Sequence, residues 1–448
     1  MYLSAGDRRR RWWGDFGNVI CYVLFSFIVA SLRRVSFMRE VVNGESIMKD
    51  EITITVFTPT YNRGYIIANL YKSLLAQEDK NFEWLIVDDD SNDNTEELVK
   101  AWMGEAPFRI RYHRQPHGGK HRAINWGVSH TDSELFFIVD SDDILTSDAI
   151  MMIRKFHAPI RHMKFAGLSF CLGHLSDAHG YQIDAQGAKT VGGEPKFDKD
   201  SYVDATNFER GKYGLLGDKA EVYRTEILRQ YPFPAFDGED FLTEGTVWNK
   251  IAADGLKLRW VNRIIYLCEY REDGLSHNSY EKFCANPNGW AAYIKVCLET
   301  GQAQDAKAMC VRFYEAEHDK FGNEDIQAML GLSSNEYAAV VQKYEDIRNY
   351  IAEIVTKRNI KNAAVYGAGT NGHRMASYLR ETGVNICYAI DQKFDARFTG
   401  KTYRPDDELP NVDAIFITPK SSSGIREMLI GKTYKTILCE CSSIPGFI

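Results

Sequence analysis

From Ile52 onward apolar positions alternate with polar ones. Ile52, Ile54, Val56 and Thr58 share one side and the run stops at Pro59, which predicts a strand. Ile66, Leu70 and Leu74 then recur at helical spacing, and Ile67 and Leu75 widen that apolar face. Trp84 to Val87 is a short apolar strand that ends in Asp88, Asp89 and Asp90. Thr95 to Trp102 predicts a helix, Ile110 to His113 a strand, and Lys120 to Val128 a second helix. Leu135 to Val139 predicts a buried strand that ends abruptly in Asp140-Ser141-Asp142-Asp143. Strands alternating with helices imply a mostly parallel sheet, whose ligands sit beyond the carboxyl ends of the strands. Both acidic clusters fall at such ends, and that placement counts for more than their acidity.

Between Phe165 and Arg271 the pattern loosens, with glycines around Gly192 and Gly214. Trp248, Ile251, Leu256, Leu258 and Val261 predict a helix and a strand that close this first domain. From about Tyr280 to Arg358 the spacing is helical: Trp290, Ile294 and Leu298 lie four apart, and Tyr344, Ile347, Ile351 and Ile354 three or four apart. The expectation is a helical spacer that buries its own stripe. A new α/β pattern starts at Ala363. The predicted organisation is an extension over 1–47, an α/β domain over 48–280, the spacer over 281–358 and a second α/β domain over 359–448.

Composition narrows the function. With 44% hydrophobic and 26% charged residues the chain is globular, and its formal net charge of −7 argues against a nucleic-acid binder. Nine cysteines are scattered without a paired framework, which points to a reducing compartment, the cytoplasm or the inner face of the cell membrane. Arg8 to Arg11 precede an apolar run from Val19 to Leu32, and Arg33 and Arg34 follow it. As a helix that run would extend about 21 Å, short of the ~30 Å hydrocarbon core. It reads either as an interfacial anchor, giving peripheral membrane association, or as a segment upstream of a true start at Met48.

Asp140 and Asp142 stand two apart on a turn after a buried strand, where they can supply one direct metal ligand and one indirect or ribose contact. Magnesium or manganese, which prefers one or two carboxylates with phosphate oxygens and water, suits such a pair. Asp143 is expected to cap the next helix. Lys120 follows two glycines at a helix start, where a cation and backbone N–H groups can meet a diphosphate.

Four pieces together resemble family-two inverting glycosyltransferases of the GT-A fold. They are Thr58-Pro59-Thr60-Tyr61-Asn62-Arg63, Ile86-Val87-Asp88-Asp89-Asp90-Ser91, Gly118-Gly119-Lys120-His121 with Asn125 and Gly127, and Asp140-Ser141-Asp142-Asp143. Order and spacing agree over about 100 residues. The resemblance implies a nucleotide-sugar donor held by Thr60, Tyr61, Arg63, Asp88, Asp90, Lys120, Asn125 and Asp140, with Asp142 and Asp140 on the metal. It assigns Asp88 to the nucleoside base. Asp90 stands where the family has glycine, so a slightly different backbone is expected there.

An inverting transfer also needs a base on the face opposite the leaving group. The family places it in a T-E-D-like motif, and here the candidates are Glu239, Asp240 and Glu244 within Asp237-Gly238-Glu239-Asp240-Phe241-Leu242-Thr243-Glu244-Gly245. Aligning Thr243-Glu244-Gly245 makes Glu244 the base, with glycine in place of the family aspartate, and aligning Gly238-Glu239-Asp240 makes it Asp240; the helix at Val247 to Ile251 favours Glu244. His277 is a further loop candidate for the metal or diphosphate.

In the last domain, Gly367-Ala368-Gly369-Thr370-Asn371-Gly372 follows a short strand, and Asp391 ends the next one. This G-x-G-x-x-G in strand–turn–helix context resembles Rossmann-like nucleotide-binding domains, with Gly367, Gly369, Gly372 and Asp391 as a possible nucleotide site. The domain is expected to be dispensable for donor hydrolysis. The chain as a whole reads as an inverting, metal-dependent glycosyltransferase that uses a UDP-sugar and a glycan or lipid-linked acceptor. The rival readings are a nucleotidyltransferase and a non-catalytic nucleotide-sugar sensor.

Overall fold

The computed structural model describes residues 51–174, 185, 187–269, 279–392, 401–419, 423–430, 432 and 436–447. The apolar run before Met48 and His277 lie outside them. The strands and helices belong to one compact unit, Ile54–Ile448.

The predicted alternation forms strand β1 (Ile54–Thr60), helix α1 (Ile67–Leu75), β2 (Glu83–Asp88), α2 (Thr95–Trp102), β3 (Arg109–Arg114), α3 (Lys120–Ser129) and β4 (Leu135–Ile138). α1 buries Ile67, Leu70, Tyr71 and Leu74, the face its spacing marked. Then come β5 (Ile144–Leu145), α4 (Ala149–His157), β6 (Phe165–His174), β7 (Lys189–Thr190), β8 (Tyr202–Ala205), β9 (Lys219–Arg224), α5 (Thr225–Leu228), α6 (Gly245–Ala253) and β10 (Lys257–Cys268). Among the described residues these strands make one sheet with the path β3-β2-β1-β4-β9-β6-β10-β5, β7 pairing with β6 and β8 with β10. β3, β2, β1 and β4 are mutually parallel, and β9 runs antiparallel to β4 and β6. Parallel pairing brings the carboxyl ends to one edge. Thr60 sits opposite Asp88, and Asp88 opposite Arg114. The core on one face packs Phe57, Leu85, Phe136, Tyr223, Trp248 and Trp260 together.

Helices α7 (Ser279–Ala285), α8 (Pro287–Glu299), α9 (Ala303–Glu317), α10 (Asn323–Leu330) and α11 (Ser334–Lys357) come next. α11 starts with a capping box in which Ser333 and Glu336 satisfy each other's backbone N–H groups. The chain ends in β11 (Asn362–Tyr366), α12 (Thr370–Glu381), β12 (Asn385–Ile390), β13 (Lys401–Tyr403), β14 (Ala414–Ile417), α13 (Ser423–Ile430) and β15 (Ile437–Glu440). These five strands are all parallel in the order β13-β12-β11-β14-β15, the order of a doubly wound sheet that reverses between β11 and β14.

The helical segment buries much of its stripe on itself, Trp290 meeting Phe283 and Phe313 and Tyr314 meeting Tyr337 and Tyr344, but the burial continues into the last domain. Trp290, Ile294, Tyr344, Ile347 and Ile351 share one buried cluster with Val365, Met375, Leu379, Phe416 and Phe447. At that seam the Arg374 guanidinium meets the Glu315 carboxylate at 2.5 Å, both side chains almost wholly buried, and the Tyr378 hydroxyl donates to Glu315 at 2.5 Å. Helix α12 covers the face of the small sheet at that seam, and α11 packs against α12 in turn. Among the described residues no helix is long and apolar enough to cross a membrane.

Candidate active site

The turns after β1 and β2 interlock. The Asn62 N–H donates to Ser91 Oγ at 2.8 Å, and the Asn92 N–H donates to Asn62 Oδ1 at 2.9 Å. Asp90 adopts φ +74°, the left-handed conformation that glycine favours and that aspartate tolerates. A glycine-like backbone is therefore kept despite the replacement. The half-exposed Asp90 carboxylate turns to Arg114, 2.8 Å away.

Asp88 also departs from expectation. It is fully buried, and its two oxygens accept from the Ser91 N–H at 2.7 Å and the Tyr112 hydroxyl at 2.6 Å. That leaves no exposed oxygen for a nucleoside base; the residue braces the turn. Thr60, opposite it, is buried with its hydroxyl unpartnered.

Asp89 is the organiser. Its carboxylate accepts the Gly118 N–H at 3.0 Å, the Gly119 N–H at 2.7 Å and the Gln115 amide at 2.7 Å, and lies 2.9 Å from His117 Nδ1. These bonds fold the glycine pair against β2 and start α3 at Lys120. Gly119 has φ +90°, and a Cβ there would lie 1.7 Å from the Asp240 carbonyl oxygen. The Asp240 loop therefore rests directly on the glycine pair. His117 bridges the two loops, with Nε2 3.4 Å from Asp240 Oδ2, and its ring stacks on the exposed Tyr61 at 4.6 Å. Burial lowers the proton affinity of His117, but the Asp89 carbonyl, the Asp89 charge and Asp240 outweigh it and raise it. Sequence reasoning did not single out His117. The signal available was its place directly before two glycines.

The acidic turn after β4 is held from β10. The Asp140 N–H donates to the Tyr266 hydroxyl at 2.9 Å, and that hydroxyl donates to Asp143 Oδ2 at 2.7 Å. Asp143 thus braces the turn rather than capping α4, whose N-cap is Asp148. Burial, then Asp140 and Asp142, push the Asp143 carboxyl well above its ordinary range. Burial and then Asp140 also raise Asp142, against the nearby positive charge of Arg63. Arg63 donates to the Tyr65 hydroxyl at 2.7 Å.

Lys120 joins the acidic turn to α6. Its ammonium lies 2.7 Å from Asp140 Oδ1 and 2.9 Å from Glu244 Oε1. Burial disfavours the charge, but Asp140 and Glu244 outweigh it and raise the lysine well above its ordinary value. Burial likewise opposes ionisation of Glu244, and Lys120 reverses this, holding Glu244 below its ordinary range.

The other two acids part company here. Glu239 is buried, and its carboxylate accepts the Asn288 N–H, the Asn288 side-chain amide and the Gly289 N–H, each at 2.8 Å. It caps α8, so its oxygens are committed and it is no candidate base. Asp240 is clasped by its backbone: Asn286 Oδ1 accepts the N–H groups of Asp240 and Phe241 at 2.8 and 3.1 Å. Its carboxylate is exposed toward His117, apart from the Lys120 bridge. Asn125, expected on the donor, instead exchanges two hydrogen bonds with the Phe233 backbone, at 2.8 and 2.9 Å. It pins the loop that leads to the acids. Among the described residues no group of three His, Cys, Asp or Glu side chains forms a metal cage.

In the small sheet the glycine turn is held in the same manner. The Ala368 N–H donates to Asp391 Oδ2 at 2.7 Å, and Gly367 takes φ +90° against Thr418 and Pro419. Gly369 is the N-cap of α12, with nothing within 4 Å of the position a Cβ would take, and Gly372 is buried in its first turn.

Residues 55–159, which hold β1 to α4 with both acidic turns and Lys120, match the sequence profile of Glycosyl transferase family 2. The segment is a family 2 glycosyltransferase domain. Glycosyltransferase GlyG of Streptococcus pneumoniae serotype 4 is 38% identical over 98 residues, 22% of this chain and 32% of that protein. The GalNAc(5)-diNAcBac-PP-undecaprenol beta-1,3-glucosyltransferase of Campylobacter jejuni is 24% identical over 277 residues, 58% of this chain and 80% of that protein. The chain thus spans about a third of GlyG but most of the C. jejuni protein. Among solved structures, S. aureus TarS 1–349 in complex with UDP-GlcNAc aligns with TM-score 0.43 and 16% identity, over 77% of this chain and 94% of that one.

Proposed function

We propose that the chain is an inverting, metal-assisted glycosyltransferase that moves a sugar from a UDP-sugar to a hydroxyl of a surface glycan or lipid-linked acceptor. The observation that carries this reading is the Lys120 bridge, which joins the acidic turn of the family 2 domain to Glu244. The name of the C. jejuni relative, a glucosyltransferase named for an undecaprenol-linked glycan, supports the acceptor class.

Asp140 and Asp142 fit a divalent cation. Two carboxylates crowd one turn, Asp142 carries the strain as a raised proton affinity, and an oxygen donor pair with open positions suits Mg2+ or Mn2+. When bound, the ion would offset charge on the diphosphate leaving group. Lys120 adds a second cation on the same side, Tyr61 and His117 offer a flat edge near the β1 end, and Arg63 faces Asp142. Glu244 takes the proton from the acceptor hydroxyl as its oxygen bonds to the anomeric carbon and the bond from that carbon to the diphosphate breaks.

Gly245 stands where the resemblance expects aspartate, which gives weight to a degenerate sensor. Packing supplies another cause: a Cβ at Gly245 would lie 2.9 Å from the Tyr293 ring of α8. The departure therefore tracks the neighbouring helix rather than loss of the chemistry. The small doubly wound domain is proposed as a nucleotide-binding module, supported by the open approach at Gly369.

With UDP-glucose, UDP-N-acetylglucosamine and GDP-mannose offered in Mn2+, the full chain is expected to hydrolyse a UDP-sugar. Glu244→Gln is expected to lose about 10²–10⁴-fold in turnover with donor KM little changed. Near-wild-type turnover in Glu244→Gln would remove the base assignment, and no hydrolysis of any donor would favour the sensor.

A further inference from the structure

Strand β9 brings another carboxylate to the same cleft. It runs antiparallel to β4, with Tyr223 opposite Phe136 and Val222 opposite Phe137. One more step along both strands sets Glu221 beside Ile138, two residues before Asp140. Residues two apart on a strand share a face, so Glu221 lies on the face of Tyr223. Tyr223 stacks on Trp248 of α6 with ring centroids 4.2 Å apart. Residues four apart on a helix also share a face, and Glu244 lies four before Trp248, its carbonyl accepting the Trp248 N–H at 3.0 Å. Two residues of strand span about 6.7 Å and four of helix about 6 Å. Both steps run toward the Lys120–Asp140 pair. Because they match, Glu221 and Glu244 converge at the cleft end as Tyr223 and Trp248 meet farther in.

The surroundings leave the Glu221 carboxyl unpaired. Among the described residues no hydrogen bond or ion pair reaches it. Arg210, from the turn 210–213, donates to the carbonyls of Leu215 and Gly217 and to Asn207. Lys219, on the same strand, donates to the carbonyls of Val191, Leu216 and Asp218. Glu244 faces it from α6, itself tied to Lys120 and near the neutral, buried His121 of α3; Asp218 and the Tyr223 hydroxyl complete the charged and titratable neighbours. Burial above all, with Asp218 and Glu244 adding and Arg210 and Lys219 opposing, pushes the Glu221 carboxyl up to about 7.

We propose that Glu221 is a second carboxyl group of the catalytic cleft, lying beside Glu244 and setting how strongly Glu244 takes the acceptor's proton. The proposal rests on Glu244 being the base. An ionised Glu221 places a like charge beside Glu244 and offsets the pull of Lys120, which makes Glu244 the better base. A protonated Glu221 withdraws that help. Glu221 acts through Glu244 and is a positioning residue in this sense.

The test uses the full chain, Mn2+ and whichever of UDP-glucose and UDP-N-acetylglucosamine it hydrolyses, with UDP release followed from about pH 5.5 to pH 8.5. Wild-type turnover is expected to rise about tenfold through neutrality as Glu221 loses its proton. Glu221→Gln, which stays neutral, is expected to remain at the low-pH rate throughout, with donor KM within about twofold, and Glu221→Asp to restore the rise. A Glu221→Gln profile that rises as in wild type overturns the proposal. Glu244→Gln separates the two assignments. If it keeps turnover, the base assignment fails and this proposal with it; if it loses turnover while Glu221→Gln keeps the wild-type profile, only this proposal fails.

Discussion

The two α/β domains carry a similar device at different places in their sheets. A glycine turn leaves the edge strand β3 in the first and the central strand β11 in the second, an aspartate at the end of the adjacent strand accepts backbone N–H from it, and a helix begins. Asp89 holds Gly118 and Gly119 before α3, and Asp391 holds Ala368 before α12. The difference lies in where the first cation of each helix goes. Lys120 reaches across a cleft to Asp140 and Glu244, whereas Arg374 turns back into the protein to Glu315 and the Phe447 carbonyl. A glycine turn shapes a backbone that can receive a phosphate. Chemistry at that turn needs charge delivered by other elements, and the first turn receives it from Asp140 and Glu244.

The comparison breaks first if the second domain proves to be a separate module. The sequence suggested that removal of residues after Arg358 would leave donor hydrolysis unchanged. The shared core opposes this, because truncation bares Tyr344, Ile347 and Ile351 and strips Glu315 of its buried partner. Losing one member of such a pair typically costs about 3–5 kcal/mol. The truncated chain is expected to aggregate or to lose its cooperative thermal transition; a soluble, fully active product would show two independent modules.

Next in size is the pair Gly119→Ala and Gly369→Ala. The first sets a Cβ against the Asp240 carbonyl at φ +90° and is expected to cost at least about 3 kcal/mol in urea unfolding, with turnover lost alongside. The second enters open space at an ordinary φ of −74° and is expected to leave stability unchanged or raise it by up to ~1 kcal/mol. Equal effects would remove the contrast between the turns.

The smallest expected effects come from the two aspartates. Asp89→Asn weakens several charge-assisted bonds at once, for about 2 kcal/mol and a raised donor KM. Asp391→Asn touches the bond to one turn amide, Ala368, for about 1 kcal/mol, with donor KM unchanged. A donor KM that responds to Asp391→Asn would tie the second turn to the first site.

Strand and helix positions were legible because periodicity is local: Leu135 to Ile138 reads as buried strand from its own residues, so Asp140 and Asp142 must lie just past a strand end. The acidic turns, the glycine pair and Lys120 were found for that reason. Their division of labour was not legible. Asp88, Asp89 and Asp90 are the same residue three times, and register and backbone twist send one to Tyr112, one to the glycine pair and one to Arg114. Glu239 and Glu244 differ only through α8, whose amino terminus claims the first carboxylate from about fifty positions away. Glu221 carries no motif at all, and its place depends on antiparallel pairing with β4 and on one aromatic stack. The sequence by itself determined which segments are strands and helices, because that depends on neighbours in the chain. Tertiary structure alone decided which carboxylate faces the cleft and which is spent on backbone N–H groups, because a charge takes its partner from whatever packing brings near.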